Sequence, residues 1–512
     1  MTAADLPRAL ALAEVAREAG GRLHGDPAVR VRGLTHDSRR VRPGMLFCAL
    51  PGAALDGATF AADALARGAA AVLGQSPPPA GASGVEVPDA RAAIGPVAHA
   101  FWGDPSARLT VVGVTGTNGK TTSSFLLRAV LEEAVGSAAA LGTLGLREGE
   151  RAVATGFTTP EAPELAELLA GLEGRGVRGL AMEVSSHALV QGRVRGVRFD
   201  GGVFTNLTHE HLDYHGTLEA YREAKLGFFD ALREADAWAV VNVDDPSAAA
   251  FRRRGPRRQL TVSLEHRGAD LTADAVECGP EGSRALVVVG RERVPLHVRL
   301  GGRFNVLNAL GALAAGVQLG LAPARAAKAL AAVERVPGRF ELLQGAGRAV
   351  LIDYAHTPDA FERVLTAARP LASGSLTLIF GCGGERDREK RPRMGEIAGR
   401  LADRVLLTID NPRREPLEQI MDDVAAGLRG ARAQWARHDD RASAVRTALR
   451  ESAPGDLVVL LGKGAEAYQE IGGVRHPYSD RDAARAALAE LEAGAAAGRE
   501  PAPLTGAGGG AR

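Results

Sequence analysis

The chain has three cysteines, Cys48, Cys278 and Cys382, too few and too scattered for a disulfide framework or a CxxC-type zinc site. Reduced thiols in a cytosolic protein are the simple expectation. It has no uninterrupted apolar run of about 18 residues, so no transmembrane helix is expected. The most apolar helical stretch, near Leu307 to Leu321, is broken by Asn308 and Gln318. The amino-terminal segment carries Asp5, Glu14 and Glu18 along a helical pattern, unlike a secretory signal. Net charge is almost absent, with 62 Lys+Arg against 61 Asp+Glu. No basic surplus points to nucleic acid, and no block of charge points to a membrane surface.

What is there is length, glycine and alternation. At 512 residues the chain has room for about three domains at roughly 150 residues each. Glycine is 63 of 512 residues, well above the typical ~7%, as many βα loops would require. Apolar strand-like runs alternate with helical patterns: Ala70–Leu73, Leu109–Val114, Gly179–Val184, Trp238–Asn242, Ala349–Ile352, Leu376–Phe380, Arg404–Ile409 and Asp456–Leu461. This predicts an α/β protein with mainly parallel sheets and functional loops at the strand carboxyl ends. Turn clusters at Trp102–Ser106 and Val336–Arg339 divide the chain into domains 1–108, 109–336 and 337–492. Residues 493–512, rich in Ala, Gly and Pro, read as a disordered tail. No repeat with a solenoid-like period of about 20–50 residues is visible.

The segment from Leu109 to Thr122 carries the most information. An apolar strand runs into Thr115-Gly-Thr-Asn-Gly-Lys-Thr-Thr122, and a helix pattern starts at Lys120. Strand, tight loop and helix amino terminus in that order make a phosphate cradle. Gly116 and Gly119 let backbone N–H groups approach phosphate oxygens, Lys120 reaches the terminal phosphates, and the Thr121 hydroxyl faces Mg²⁺. Thr117, Asn118 and Thr122 complete the loop. The strict eight-residue spacing fails by one position: Val114 stands where the first glycine belongs, and Gly113 comes one residue early.

Four other segments carry chemistry. Glu183 ends an apolar run before Ser185-Ser186-His187, where a carboxylate is either a solvated loop residue or a holder of the nucleotide's Mg²⁺. Residues 206–215 concentrate three histidines and two acids in a pattern that fits no zinc motif; a polar surface turn is the alternative, and His211 is the preferred Mg²⁺ ligand. Lys225 shares a helix face with Tyr221 and Phe229, so it either snorkels outward or is buried. Burial would depress its pKa, and a neutral amine can take up CO₂ as a carbamate, an anionic metal ligand. The segment Arg404 to Arg413 is a strand ending in a turn stiffened by Pro412, with Arg413 at its tip. That guanidinium suits bidentate carboxylate binding, or the segment is an ordinary βα loop. The glycine-rich loops Gly381–Asp387 and Gly462–Glu466 are weaker anion-binding candidates.

Taken together these segments resemble the Mur ligase family, in its diaminopimelate-adding branch, from about residue 30 to 490. The motifs that carry the resemblance are the phosphate loop, Thr-Thr-Pro at 158–160 and Met-Glu-Val-Ser-Ser-His at 182–187. They continue with His-Leu-Asp-Tyr-His at 211–215, Ala-Lys at 224–225, Gly-Arg-Phe-Asn at 302–305 and Asp-Tyr-Ala-His-Thr-Pro-Asp at 353–359. Gly-Cys-Gly-Gly at 381–384, Asp-Asn-Pro-Arg at 410–413 and Gly-Lys-Gly at 462–464 complete the set. The resemblance implies a UDP-binding first domain, a central ATP-binding P-loop domain and a Rossmann-like carboxyl-terminal domain. It implies a cytoplasmic, monomeric amide ligase of peptidoglycan synthesis that consumes ATP with Mg²⁺ and acts on small molecules. Ser38, Thr158, Thr159, Ser185, Gln191 and Arg193 match positions holding the UDP-muramoyl dipeptide. Asn305 and Arg339 match ATP contacts, and Lys225 matches a lysine carbamylated by CO₂ or bicarbonate. Arg386, Asp410, Asn411, Pro412, Arg413, Gly462 and Glu466 match the pocket for the incoming amino acid. Lys120, Lys225, Glu183 and His211 form the expected catalytic group, and Thr121, Glu183, His211 and carbamylated Lys225 the expected metal ligands.

Arg413 favours diaminopimelate over lysine. A buried guanidinium left without an anion is costly, so lysine should be rejected by about 100-fold or more. Glu210 stands where the family usually has Asp, while Ala465 and Ala467 replace the usual histidine and acid after Gly-Lys-Gly. These departures bear on the fine shape of the amino-acid pocket. A lysine-adding ligase is the rival within the enzyme class, and an ATP-binding switch without ligation is the rival from outside it.

Overall fold

The computed structural model describes residues 8–52, 56–232 and 236–497. The chain forms two compact units, one built mainly from residues 8–334 and the other mainly from 335 onward. Among its described residues the first unit holds two larger sheets and a two-stranded ribbon, Leu10–Ala11 with Arg30–Val31. Its amino-terminal sheet has five strands in the order Arg22–His24, Gly84–Glu86, Ala71–Gly74, Leu46–Cys48, Leu34–Thr35. The last four pair in parallel, and Arg22–His24 joins antiparallel. Helices Leu12–Ala19 and Ala90–Phe101 cover one face, burying Leu12, Val15, Ile94 and Val97 against Leu46, Leu73 and Val85. Glu14 and Glu18 lie on the first of these helices, and Asp5 lies outside the described residues. Ala162 and Ala166 of helix Ala162–Gly174 join the same core. The described residues up to 108 and most of segment 109–336 therefore share one compact unit.

The large sheet has its phosphate-loop strand, Thr110–Thr115, near the middle, between Gly179–Glu183 and Gly201–Phe204. Parallel pairing runs from Ala138–Gly142 through these strands to Trp238–Asn242, Arg258–Ser263 and Leu271–Gly279. Such strands are covered on both faces, and all five residues of Ala138–Gly142, Gly179–Glu183 and Trp238–Asn242 are buried. Both margins depart from the parallel pattern. Gly145–Glu148 and Arg151–Val153 add an antiparallel ribbon at one side, and Gly282–Val289 pairs antiparallel with Glu292–Val298 at the other. Gly145–Glu148, Arg151–Val153 and Glu292–Val298 lack the apolar runs that announce buried strands, while Gly282–Val289 carries one, Ala285 to Val289, with alternating burial.

Strand order reverses around Thr110–Thr115. The chain leaves it through helix Lys120–Val135 toward Ala138–Gly142 on one side, and Gly201–Phe204 lies on the other. A crevice at the carboxyl ends of such strands is where an open α/β sheet takes its ligand. Gly113 explains the shifted glycine. A side chain at Gly113 or Gly202 would run into the Phe228 ring, which lies on the sheet over these two positions. Gly113 is thus a seat for an aromatic ring, and the phosphate loop begins at Gly116.

The second unit has a six-stranded sheet in the order Glu341–Gly345, Arg348–Asp353, Leu457–Leu461, Leu376–Phe380, Arg404–Thr408, Gln434–His438. All neighbours pair in parallel except the first two. One face buries Val350, Ile352, Ile379, Leu406, Val458 and Leu460 under Val445, Leu449 and Leu488. The last helix, Asp480–Ala497, runs five residues into the segment expected as a tail. Residues 498–512, the rest of that expectation, lie outside the described residues. No described helix is long and apolar enough to cross a membrane.

Candidate active site

The phosphate loop closes over a neighbouring strand end. Gly116 adopts φ +149° and has no room for a side chain against the Thr205 hydroxyl. Gly119 adopts φ +86°, and a Cβ there would stand 2.5 Å from Asn308 Oδ1. Asn206 clamps the loop: its Oδ1 accepts from Asn118 N at 2.9 Å and its Nδ2 donates to Asn118 O at 3.0 Å. Lys120 Nζ donates to the carbonyls of Gly116 (2.9 Å) and Thr117 (2.7 Å), so the ammonium is folded against its own loop. Thr121 and Thr122 are buried at the helix start. Asn305 is buried on helix Arg303–Gln318 and accepts from Asn308 Nδ2 at 3.1 Å, which joins it to the residue facing Gly119.

Lys225 is buried rather than snorkelling. Helix Leu218–Ala231 is capped by the Thr217 hydroxyl, and its Phe228 ring rests on Gly113 and Gly202. That seat draws the helix onto the phosphate-loop strand and leaves Lys225 1% exposed. Its Nζ donates to Gly116 O at 2.8 Å and sits 4.4 Å from the centre of the Tyr221 ring. Desolvation, reinforced by the Lys120 charge and only partly opposed by Glu210, pushes the amine pKa well below its ordinary value. This setting disfavours the charged form.

Glu183 ends its strand fully buried, accepting from Thr143 N (2.9 Å) and Thr143 Oγ1 (3.2 Å). Gly142 is required beside it, since a Cβ there would collide with the carboxylate. His211 has φ +57° and keeps 42% of its side chain accessible. Even so, the protein around the ring strips enough water to lower its pKa to about 4, with Glu210 opposing and His187, Lys120 and Lys225 assisting. The ring is neutral at pH 7 and can ligate. It belongs to an aromatic group in which His187 contacts His211 (4.8 Å), Tyr214 (4.2 Å) and His215 (5.6 Å). Among the described residues no three His, Cys, Asp or Glu side chains form a metal-holding group.

The dipeptide-site candidates form one network. Thr158 Oγ1 meets Thr143 Oγ1 at 3.2 Å, and Thr159 Oγ1 donates to Glu183 O at 2.8 Å. Ser185 N donates to Thr159 Oγ1 at 3.3 Å, and the Ser185 hydroxyl caps helix Ser186–Val190. Arg193, buried, binds Thr159 O (3.0 Å), Gln191 Oε1 (2.6 Å) and Glu161 (3.0 Å), with Phe157 at 4.4 Å under its guanidinium. Ser38 stands apart, on the helical turn Ser38–Arg40, whose Arg40 reaches Glu164 at 3.1 Å.

In the second unit, Arg339 lies over the Tyr354 ring at 4.4 Å. Around the strand ends Thr408 and Leu461, the amino-acid candidates converge. Asn411 Nδ2 donates to Glu466 Oε2 at 2.9 Å, and its Oδ1 accepts from Glu470 N at 2.9 Å. Gly462 has φ +106°, and a Cβ there would stand 2.6 Å from Asp410 Oδ2. Desolvation raises the Asp410 pKa, against the pull of Lys463 and Arg441. Pro412 is buried, and Arg413 follows at φ +55° with its N–H on Glu470 O. Arg413 Nη1 donates to Gly384 O at 2.6 Å. Arg386 is exposed, and its Cγ lies 3.8 Å from where a Cβ of Gly383 would be. Ala465 lies against Gly338, and Ala467 is exposed.

Sequence reasoning missed Lys463, which is fully buried with Nζ at 3.0 Å from Glu466, 3.5 Å from Asp410 and 3.2 Å from Asn411 Oδ1. A lysine between two glycines reads as a solvated loop residue, and Asp410 reaches it from another strand end while Glu466 lies three residues on in its own loop. Arg391 and Glu415, the pair that ties the loops flanking Arg413, were missed for the same reason. Tyr221 was seen as an apolar neighbour only; its hydroxyl meets Thr117 Oγ1 at 3.2 Å.

Comparison with known proteins adds a family to this geometry. Three family models match in succession: "Mur ligase family, catalytic domain" at residues 30–102, "Mur ligase middle domain" at 114–316 and "Mur ligase, glutamate ligase domain" at 338–464. A protein of Geobacter metallireducens named UDP-N-acetylmuramoyl-L-alanyl-D-glutamate–2,6-diaminopimelate ligase is 43% identical over 497 residues, 93% of this chain and 96% of that protein. A protein of Synechococcus sp. (strain WH7803) with the same name is 46% identical over 480 residues, 90% of this chain and 94% of that one. A solved structure described by that name superposes with a TM-score of 0.68 at 32% identity, covering 95% of this chain and all of the other.

Proposed function

The chain belongs to the Mur ligase family, and on that premise we propose that it joins meso-diaminopimelate to UDP-N-acetylmuramoyl-L-alanyl-D-glutamate with consumption of ATP. In this reading, segment 1–108 takes the UDP group, 109–336 takes ATP, and 337–492 takes the amino acid. A cytoplasmic setting fits nucleotide-linked substrates and an ATP supply.

A carboxylate is a poor acyl donor, so it must first be activated. The γ-phosphoryl of ATP moves onto the D-glutamyl side-chain carboxylate, and ADP leaves. The free amine of diaminopimelate attacks the acyl carbon, an N–C bond forms, and inorganic phosphate departs with the C–O bond. Gly116 to Gly119 offer backbone N–H groups to the phosphates, and Lys120 turns from its loop carbonyls toward the transferring group. Asn305 and Arg339 assist the nucleotide. Thr158, Thr159, Ser185, Gln191 and Arg193 orient the dipeptide carboxylate, with Ser38 on the UDP end. Asp410, Asn411 and Glu466 accept from the diaminopimelate ammonium, Gly462 gives them room, and Arg413 with Arg386 takes the distal carboxylate.

The donors suit a divalent cation once Lys225 is modified. Glu183 gives a carboxylate, Thr121 a hydroxyl and His211 a neutral imidazole, too few anionic oxygens for Mg²⁺ alone. Among the described residues the Lys225 amine makes no ion pair; it is buried, adjacent to the Lys120 charge and only partly offset by Glu210. Its nitrogen adds to CO₂ and loses a proton, and the resulting carbamate supplies the missing oxygens while its anion is offset by Lys120. Bound Mg²⁺ would neutralise charge on the transferring phosphoryl group.

The observation that carries the substrate assignment is Arg413, held in a left-handed conformation beside Asp410 and Asn411 in a chain over 40% identical to diaminopimelate-adding relatives. Coupled phosphate release with the UDP-linked dipeptide, ATP, Mg²⁺ and bicarbonate tests it. Release should depend on diaminopimelate and be about 100-fold or more weaker in kcat/KM with lysine. Equal use of lysine overturns the specificity, and no amino-acid-dependent release overturns ligation itself.

A further inference from the structure

Arg413 is the residue that the proposed function makes responsible for reading the distal carboxylate, yet its own loop is short and lies at a left-handed φ of +55°. Something else must fix where its guanidinium points. One guanidinium nitrogen is committed to Gly384 O at 2.6 Å. The position of that carbonyl therefore sets the direction of the remaining N–H groups.

The Gly384 peptide is gripped from beneath. Arg391, on helix Lys390–Leu401, has a side chain 0% exposed. It makes a bidentate pair with Glu415, Nη1 to Oε1 at 2.7 Å and Nη2 to Oε2 at 2.8 Å. Nη1 also reaches Asp423 at 2.9 Å, and Nη2 donates to Gly383 O at 3.2 Å. Glu415 in turn accepts from Glu385 N at 2.8 Å. The residues on both sides of Gly384 are thus bound to one ion pair. Gly384 N completes the grip by donating to Asn411 O at 2.9 Å, and a Cβ at Gly384 would collide with Pro412 O. The Arg391 hydrogen bonds, ahead of the Glu385 N–H, hold the Glu415 carboxyl down to about 2, so the pair is charged throughout the working range. A buried, hydrogen-bonded pair of this kind fixes geometry more than it adds stability.

We infer that Arg391 and Glu415 are positioning residues for Arg413: their ion pair locks the Gly383–Glu385 backbone, and that backbone aims the guanidinium that selects the amino-acid substrate. Neither side chain touches the substrate. This inference rests on the proposed function, since selection at a distal carboxylate has meaning only for a diamino acid that carries one.

The test uses the full chain with ATP, Mg²⁺, bicarbonate and the UDP-linked dipeptide, and compares diaminopimelate with lysine for Arg391→Lys and Glu415→Gln. Lysine cannot reproduce the fork on Glu415, and glutamine keeps one acceptor for Glu385 N but loses the charge. Both variants should raise the KM for diaminopimelate at least about tenfold and shrink the preference over lysine by a similar factor. The KM values for ATP and for the dipeptide should stay within about twofold, and kcat at saturating diaminopimelate within about threefold. A merely structural role would lower kcat with all substrates together and leave the preference intact; that result overturns the inference. Unchanged preference in folded variants overturns it too. Should Arg391→Lys not fold, Glu415→Gln and the milder Asp423→Asn carry the same reading, with the smaller change expected for Asp423→Asn. Failure of the proposed function looks different: the unmodified chain itself would then show no diaminopimelate-dependent phosphate release.

Discussion

Two lysines in this chain are sealed from water, and their surroundings differ completely. Lys225, 1% exposed, has a backbone carbonyl, an aromatic face and a second lysine nearby, and among the described residues no carboxylate in hydrogen-bond range. Lys463, 0% exposed, lies among Asp410, Asn411 and Glu466. Burial without an acid disfavours the ammonium and leaves a nucleophilic amine. Burial among acids makes the amine part of an ion-pair network that holds other groups still. The same side chain stands apart from acids in one unit, where the proposed function makes it a reagent, and is a fastener among acids in the other.

The comparison breaks most visibly if Lys463 is removed. Lys463→Met should leave buried Asp410 and partly exposed Glu466 without their nearest cation, a loss of about 3 kcal/mol in the stability of the second unit. Denaturant unfolding followed by Trp435 fluorescence in that unit would register it. Diaminopimelate-dependent activity should fall with it, because Asn411 loses a donor on the oxygen that also accepts from Glu470 N. A variant as stable as the parent would show that Lys463 is not compensating those acids.

Lys225→Ala is the counterpart in the first unit, with the opposite pattern. Deleting an unpaired amine leaves no orphaned charge, so stability should change little. Turnover should drop by about 10²–10³-fold, the typical loss when one preorganised electrostatic contact to a transferring group is removed. A small carboxylate such as acetate should restore part of the activity by standing in for the carbamate. Full activity in the variant would remove the carbamate from the mechanism and make Lys225 a fastener like Lys463.

How legible each lysine was follows from the range of its contacts. The phosphate loop and the helix Leu218–Ala231 were readable because strand, turn and helix signals are local, and Lys225 shares a face with Tyr221 and Phe229 at four-residue spacing. The parallel strands were readable as apolar runs. The role of Gly113 was not, because Phe228 lies 115 residues on and reaches it only through tertiary packing. Lys463 and the Arg391–Glu415 pair were hidden for the same reason: Asp410 reaches Lys463 from a different strand end, and no periodicity links position 391 to 415. Three of the four antiparallel margin strands of the large sheet were hidden because they lack an apolar run; Gly282–Val289 carries one, Ala285 to Val289, which sequence reasoning missed. The expected tail was overextended because an Ala-rich segment reads equally as weakly hydrophobic coil and as helix, and Asp480–Ala497 takes the helix.

His99 sharpens the comparison with a buried base that does no chemistry. It is 2% exposed on helix Ala90–Phe101, with Ser106 Oγ at 3.5 Å from Nδ1. Desolvation lowers its pKa from 6.5 to about 4, with Asp104 opposing and Arg198 assisting. Because the folded value lies below the unfolded one, the unfolded chain binds the extra proton first. Stability is therefore unaffected above pH 6.5 and lost progressively as pH falls toward 4. Between pH 7 and pH 5 the loss from this one ring is about 2 kcal/mol, at roughly 1.36 kcal/mol per pKa unit. His99→Asn, which cannot titrate, should flatten the urea-unfolding stability of the first unit by that amount across the same interval. Activity at pH 7 should be retained, since burial at His99 depresses a pKa just as it does at Lys225 but places no phosphate loop beside the neutral base. An unchanged pH slope would mean that the ring takes up its proton inside the fold, and that burial alone does not keep a base neutral in this protein.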